Sequence, residues 1–300
     1  MLSISTSWMP NPEQGMAPWF KTVKELGFDA VELSYRMNRA QLEEAIPLLK
    51  QTGLKVSSIH NFCPTPDDEP SPRHPSNYYR MSSLDEHERK QAVKWTNIAI
   101  DTAGRVGASV VVIHAGVVDV EDDRSPELFQ LFTEGQAGTD AFIKERDRIL
   151  NLRKSSHEPY LKNLLDSLNQ AADYARKKNV KIGLETRYYP LEIPDFDEIK
   201  HFLDRFDSSV MGYWHDVGHA EINSRLGIKA HKDYLEAYKD RLIGVHLHGI
   251  AGRKDHQAPF DGDMKLEAYL SYFKNVIRVV ECKPYVSFDG LKNAAVQLKG

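Results

Sequence analysis

Short apolar runs alternate with longer amphipathic stretches from one end of the chain to the other. The runs cover residues 2–6, 30–33, 55–60, 109–114, 181–185, 210–216, 242–246 and 277–281. Each has the length of a buried parallel strand, and most are rich in Val and Ile. Between them, residues 19–26, 39–50, 87–106 and 160–178 repeat their apolar positions with helical spacing. A Gly or Asn often closes the helix before the next run, as in Glu25-Leu26-Gly27-Phe28 and Lys178-Asn179-Val180. Eight strand–helix units in one chain predict an α/β fold, a (β/α)8 TIM barrel forming a single domain over residues 1–300. An open doubly wound sheet competes, but no Gly-rich turn follows the first run to support a dinucleotide fold.

Two connections are long. Residues 61–83 follow the third run and carry Pro64, Pro66, Pro70, Pro72 and Pro75. Residues 115–158 follow the fourth, with one helical insert expected at 140–152. Both leave the C-terminal ends of strands, where barrel enzymes build their sites, so both are expected to act as lids.

The position of the polar residues changes the picture from fold to chemistry. An ionisable group that ends an apolar strand costs free energy unless it is paired or bound to metal. His60, His114, Glu185, Asp216, His246 and Glu281 each end one of six consecutive runs. A barrel gathers those ends around one axis, which predicts a divalent-metal site centred on Glu185, Asp216, His246 and Glu281. Two glutamates, an aspartate and imidazoles suit Mn, Co or Zn, with Mg the harder alternative. In Asp216-Val217-Gly218-His219, a strand end and the first turn of a helix can both face the mouth.

Other residues follow from parity and position. Arg187 lies two residues beyond Glu185 and is the candidate clamp for a phosphate or carboxylate. His248 shares the parity of His246 and is a candidate for touching substrate or metal, and Glu32 ends the second run. Trp8, Phe62 and Trp214 are candidates for an apolar wall beside the site.

The chain resembles the xylose-isomerase-like barrel superfamily, which includes sugar and sugar-phosphate isomerases and epimerases and the endonuclease-IV-type AP endonucleases. The resemblance spans most of the chain and rests on several segments in order. They are Phe28-Asp29-Ala30-Val31-Glu32-Leu33, Val112-Ile113-His114-Ala115-Gly116, Ile182-Gly183-Leu184-Glu185 and Asp216-Val217-Gly218-His219. Gly244-Val245-His246-Leu247-His248 and Val279-Val280-Glu281-Cys282-Lys283-Pro284 complete the set. The epimerase side of the family implies one ion on Glu185, Asp216, His246 and Glu281. There the two glutamates double as acid and base, His219 holds a substrate hydroxyl, and Glu32 stands where relatives place a glutamate near the substrate. The endonuclease side implies two or three zinc ions, with His60, His114, His219 and His256 as further ligands. Asp255 directly precedes His256 rather than standing two residues earlier, and the Gly-Ser-His run of the endonucleases is absent from the first strand, where Ser3-Ile4-Ser5-Thr6-Ser7 stands.

Composition narrows the partners. The 300 residues are 41% hydrophobic and 27% charged, with a formal net charge of −4 and no block of Lys and Arg. Electrostatics therefore lean against a nucleic acid, and the resemblance implies a small-molecule sugar or sugar phosphate as the partner. Two cysteines, Cys63 and Cys282, make no disulfide framework. With no signal-peptide pattern at the start and no apolar stretch of about 20 residues, the expectation is a cytoplasmic protein away from membranes, as monomer or homo-oligomer. Isomerase or epimerase chemistry is the leading expectation. A multi-zinc phosphodiesterase, a polyol dehydratase or lyase, and a non-catalytic sugar-binding barrel are the alternatives.

Overall fold

The computed structural model describes residues 1–68 and 73–300; Pro70 and Pro72 of the long third connection lie outside them. Eight parallel strands close into a barrel: β1 (Leu2–Ser5), β2 (Ala30–Leu33), β3 (Lys55–His60), β4 (Val110–Ile113), β5 (Lys181–Glu185), β6 (Met211–Asp216), β7 (Leu242–Leu247) and β8 (Ile277–Val280). Neighbours in sequence are neighbours in the barrel, and β1 closes it against β8. The expected barrel is therefore present, with strand ends within a residue or two of the apolar runs.

The outer layer contains α1 (Met16–Glu25), α2 (Arg39–Thr52), α3 (Glu86–Val106), α4 (Ser125–Thr133), α5 (Asp140–Ser156), α6 (Glu158–Lys178), α7 (Phe196–Leu203), α8 (Val217–Arg225), α9 (His231–Tyr238) and α10 (Phe288–Lys299). Their starts are chemically marked. Asn38 and Gln41 form a capping box on α2, and Asp195 and Glu198 form one on α7. Two expectations need correction. The fourth connection holds two inserted helices, α4 and α5, rather than one. The seventh unit has no α-helix among the described residues; the turns Leu266–Ala268 and Leu270–Phe273 bridge β7 to β8.

The long connections are pinned to the barrel rim. Gly116–Val117 pairs antiparallel with Glu192–Ile193. Arg153 on α5 is buried and donates to Glu198, to Asp195 and to the carbonyl of Glu192. On α3, Glu88 accepts from the backbone N–H of Arg80 (2.9 Å), from Ser83 Oγ (2.8 Å) and from Arg73. Burial of that carboxyl pulls its pKa up, but the Arg73 and Ser83 hydrogen bonds and the Arg80 charge outweigh it and hold it below its ordinary range.

Beneath the mouth, Val110, Val112, Trp214 and Val279 fill the barrel interior. The Trp214 ring lies in space left by two glycines: a Cβ on Gly244 would stand 2.1 Å from it and one on Gly183 3.1 Å. Gly244→Ala is expected to force that ring off its seat and to cost about 1–3 kcal/mol, measured as a lower denaturation midpoint at unchanged m-value. An unchanged midpoint would mean that the interior is looser than this packing.

Candidate metal centre

The strand ends converge as the sequence expects. One carboxylate or imidazole atom from each of Glu185, Asp216, His246 and Glu281 lies within 4.8 Å of the others, and all four side chains are buried. Strand register sets this up, because Asp216 is paired with His246 across β6 and β7. Glu281, just past β8, is held by its N–H to the carbonyl of Leu247. His246 Nδ1 stands 3.0 Å from Glu185 Oε1, 3.2 Å from Glu281 Oε2 and 3.7 Å from Asp216 Oδ2. Ligands at roughly 2.1 Å from one ion, with tetrahedral or octahedral angles, stand ~3.0–3.4 Å apart. The donor set fits one divalent ion.

The surroundings hold these groups in ligand-ready orientation. The other imidazole nitrogen, His246 Nε2, faces Glu32 Oε2 at 3.3 Å, and Ser58 Oγ donates to the same oxygen at 2.7 Å. A carboxylate behind a ligating histidine fixes its ring orientation. Asp216 also caps α8, accepting from the N–H of His219 at 2.8 Å, and its carboxylate meets His248 Nε2 at 3.1 Å. Burial raises the pKa of Glu185 and of Asp216, yet the surrounding imidazoles more than reverse this and keep both well below the carboxylate range. Both are anions at neutral pH.

Two further clusters flank the first. His114 Nε2 lies 2.8 Å and His60 Nε2 3.5 Å from Glu185 Oε2, and His60, Glu185 and His246 form a second group of close donor atoms. Burial holds the His114 ring neutral, with a pKa well below normal, and its buried Nδ1 has no partner among the described residues. The third group joins His219, Asp255 and His256. Adjacent residues on a strand point to opposite faces, so Asp255 next to His256 reads as a broken motif in sequence. The structure resolves this through His256 itself, whose φ of 54° leaves the extended region and turns its ring back beside the Asp255 carboxylate, 3.5 Å away.

The cavity above these groups has a volume of about 830 Å³. His60, His114, Glu185, Arg187, His219, His256 and Glu281 line it. Glu32 and His248 are fully buried and do not reach it; they stand behind His246 and Asp216 instead. Arg187 is buried rather than free to clamp an anion. Its Nη2 donates to Glu192 Oε1 (2.6 Å) and its Nη1 to Glu185 Oε2 (3.3 Å). Trp8, Phe62 and Trp214 belong to the core, and the aromatic wall is formed by Tyr35, Tyr188, Tyr189 and Tyr285. Glu192 escapes sequence reasoning because it lies on a rim ribbon, not at a barrel-strand end. It accepts from Arg187 and from the N–H groups of Tyr188 and Tyr189, and so shapes one side of the cavity.

The family model described as "Xylose isomerase-like TIM barrel" matches residues 20–276. The chain belongs to that family. Among solved structures, it is similar to 3-keto-D-glucoside 4-epimerase of E. coli (15% identity, 99% of this chain and 98% of that one, TM-score 0.70). It is also similar to D-allulose 3-epimerase of Methylomonas sp. in complex with D-allulose (14% identity, 99% and 95% covered, TM-score 0.68). A family 2 AP endonuclease of Brucella melitensis shares the same barrel (15% identity, 97% and 96% covered, TM-score 0.64). These likenesses are of fold. In sequence, the uncharacterized protein y4fM of Sinorhizobium fredii is 26% identical over 271 residues, covering 85% of this chain and 76% of that protein. Among the described residues, no helix of this xylose-isomerase-like barrel is long and apolar enough to cross a membrane.

Proposed function

We propose that the chain is a divalent-metal-dependent sugar isomerase or epimerase. The observation that carries this reading is the buried set of Glu185, Asp216, His246 and Glu281, whose donor atoms crowd within 4.8 Å at the barrel mouth. When bound there, a divalent ion polarises a carbonyl and its neighbouring hydroxyl and lowers the barrier to removing the adjacent C–H proton. Glu185, held ionised, takes that proton. Glu281 rises from the end of β8, three strands around the barrel from β5, and passes on a proton drawn from solvent from its own side of the cavity. Return to the same carbon from the opposite face inverts it; return to the neighbouring carbon moves the carbonyl. His219, on the cavity wall, holds a substrate hydroxyl. Arg187, itself held by Glu192, keeps the Glu185 carboxylate oriented.

The His60–His114 pair and the His219, Asp255 and His256 cluster favour a second reading, a phosphodiesterase with two or three ions. The net charge of −4 and the paired state of Arg187 favour a sugar over a nucleic acid. Counting metal in protein purified without added metal separates the two. We expect one tightly held ion per chain, and incorporation of solvent deuterium at a carbon beside the carbonyl of a ketose or ketose phosphate. Three ions with cleavage of abasic DNA would instead establish the phosphodiesterase. No deuterium uptake by any sugar tested, in metal-replete protein, would remove the isomerase reading.

A further inference from the structure

A second cavity of about 620 Å³ opens beside the metal cavity. The two share Asn77, Tyr189, Glu192 and Arg253 on their walls, so they adjoin. Its character is different. One wall is the face of α4 that carries Pro126, Phe129, Gln130 and Thr133 at helical spacing; Val117 and Leu191 add apolar surface, and Asp123, Glu134, Glu192 and Arg253 are the charged residues of the lining. Phe129 is 3% exposed and Leu191 6%, so both are fixed by packing before any ligand arrives.

An aromatic strip joins the two compartments. Tyr188, which lines the metal cavity, meets the ring of His219 at 5.8 Å and stacks on Phe129 at 5.6 Å and 17°. Tyr189 meets the edge of the same Phe129 ring at 5.6 Å, and the Arg253 guanidinium lies 5.2 Å above it. One polar atom is left over in this annex. Ser125 lines it, and its buried hydroxyl has no hydrogen-bond partner among the described residues. The hydroxyls of a sugar gain nothing against Phe, Leu, Pro and Val. A flat apolar group with one ether or phenolic oxygen does.

We propose that the substrate is a sugar bearing an apolar, planar substituent, an aryl glycoside in the simplest form, with the sugar at the metal centre and the substituent in the annex. This rests on the sugar reading above and narrows its substrate class. Each cavity alone has a size that holds a drug-sized ligand, roughly 300–1,000 Å³, whereas an unsubstituted hexose leaves the annex empty. A glycoside also fixes the chemistry. Its anomeric carbon is locked as an acetal, so the carbonyl that activates the neighbouring C–H must be a ring ketone. The reaction class that supplies such a substrate is the dehydrogenation of a ring hydroxyl.

The test is calorimetric binding of phenyl β-D-glucopyranoside, D-glucose and phenol to manganese-loaded protein. Burying the ring should make the phenyl glucoside at least about tenfold tighter than glucose. Thr133→Trp and Gln130→Trp, at exposed positions of α4 facing the annex, should fill it and bring that ratio towards one. Circular dichroism checks that each variant is folded. Equal affinity for the two sugars overturns the proposal, as does a ratio that neither folded variant changes. Phenol binding as tightly as the glucoside overturns it too, since the annex would then be a separate site. If both sugars bind equally and only with the divalent ion, the annex proposal fails alone. If neither depends on the ion, the metal–sugar reading fails with it.

Discussion

Glu185→Gln is expected to lower exchange of the substrate C–H proton with solvent by about 10³-fold or more, with the barrel still folded. A positioned general base contributes roughly 10²–10⁴-fold on its own, and this residue also belongs to the four close side chains that could hold a metal ion. Glutamine keeps the shape but cannot accept a proton. Its amide oxygen can still accept from Arg187 Nη1, which stands 3.3 Å from Glu185 Oε2, so the side chain keeps its place while losing its charge. The fold should survive because the load-carrying core lies below, in Val110, Val112, Trp214 and Val279. Deuterium incorporation at saturating metal, with circular dichroism and a metal count on the same sample, measures the effect. Glu281→Gln makes an informative partner. If the two carboxylates work opposite faces, this variant loses product but keeps the proton wash-out that Glu185 performs. Retention of more than a tenth of the exchange in Glu185→Gln would sink the assignment of the base.

The fold was legible because a parallel barrel strand is buried on both faces and leaves an uninterrupted apolar run. β2, β3 and β5 fall at the expected residues for that reason. The cluster of carboxylates and imidazoles at the mouth was legible because a charged residue ending such a run has no cheap alternative to pairing. Depth was harder. Trp214 and Asp216 share parity and both point into the barrel, but two residues of strand separate a core layer from the mouth. Glu32 raised the same difficulty: its strand end was visible, whereas its place behind His246 depends on how six other strands are staggered. α4 carried its own start signal, Pro126 with Glu127 in the first turn, but its short length hid it inside a long connection. The third donor group depended on the backbone of one residue, His256, and no side-chain pattern encodes a φ of 54°.

Divalent-ion affinity should rise with pH through the neutral range, by up to about tenfold per unit, with one proton released per ion bound. The cause is His246. In protein stripped by a chelator, burial pulls its pKa down, but the charges of Glu281 and Glu32 and hydrogen bonds to Asp216 and Glu185 outweigh this and hold it well above the ordinary imidazole range. The ring is then a cation at neutral pH, whereas a metal ligand must offer a lone pair. Glu185 and Asp216 are already ionised across this window, so they release nothing. The sign for stability follows. A histidine with a raised folded pKa contributes stability that is complete below its unfolded value, about 6.5, and lost as pH rises through the folded one. Stripped protein therefore loses stability on the alkaline side, where the loaded protein holds its ion best, and the difference in Tm should widen as pH rises. Calorimetry in buffers of different ionisation enthalpy counts the proton. Glu32→Gln removes one of the charges that keep His246 protonated and the carboxylate that orients it. It should weaken metal binding about 10–100-fold at alkaline pH while flattening the slope below. Affinity independent of pH across the window, with no proton released, would mean that His246 is not the ligand that sets it.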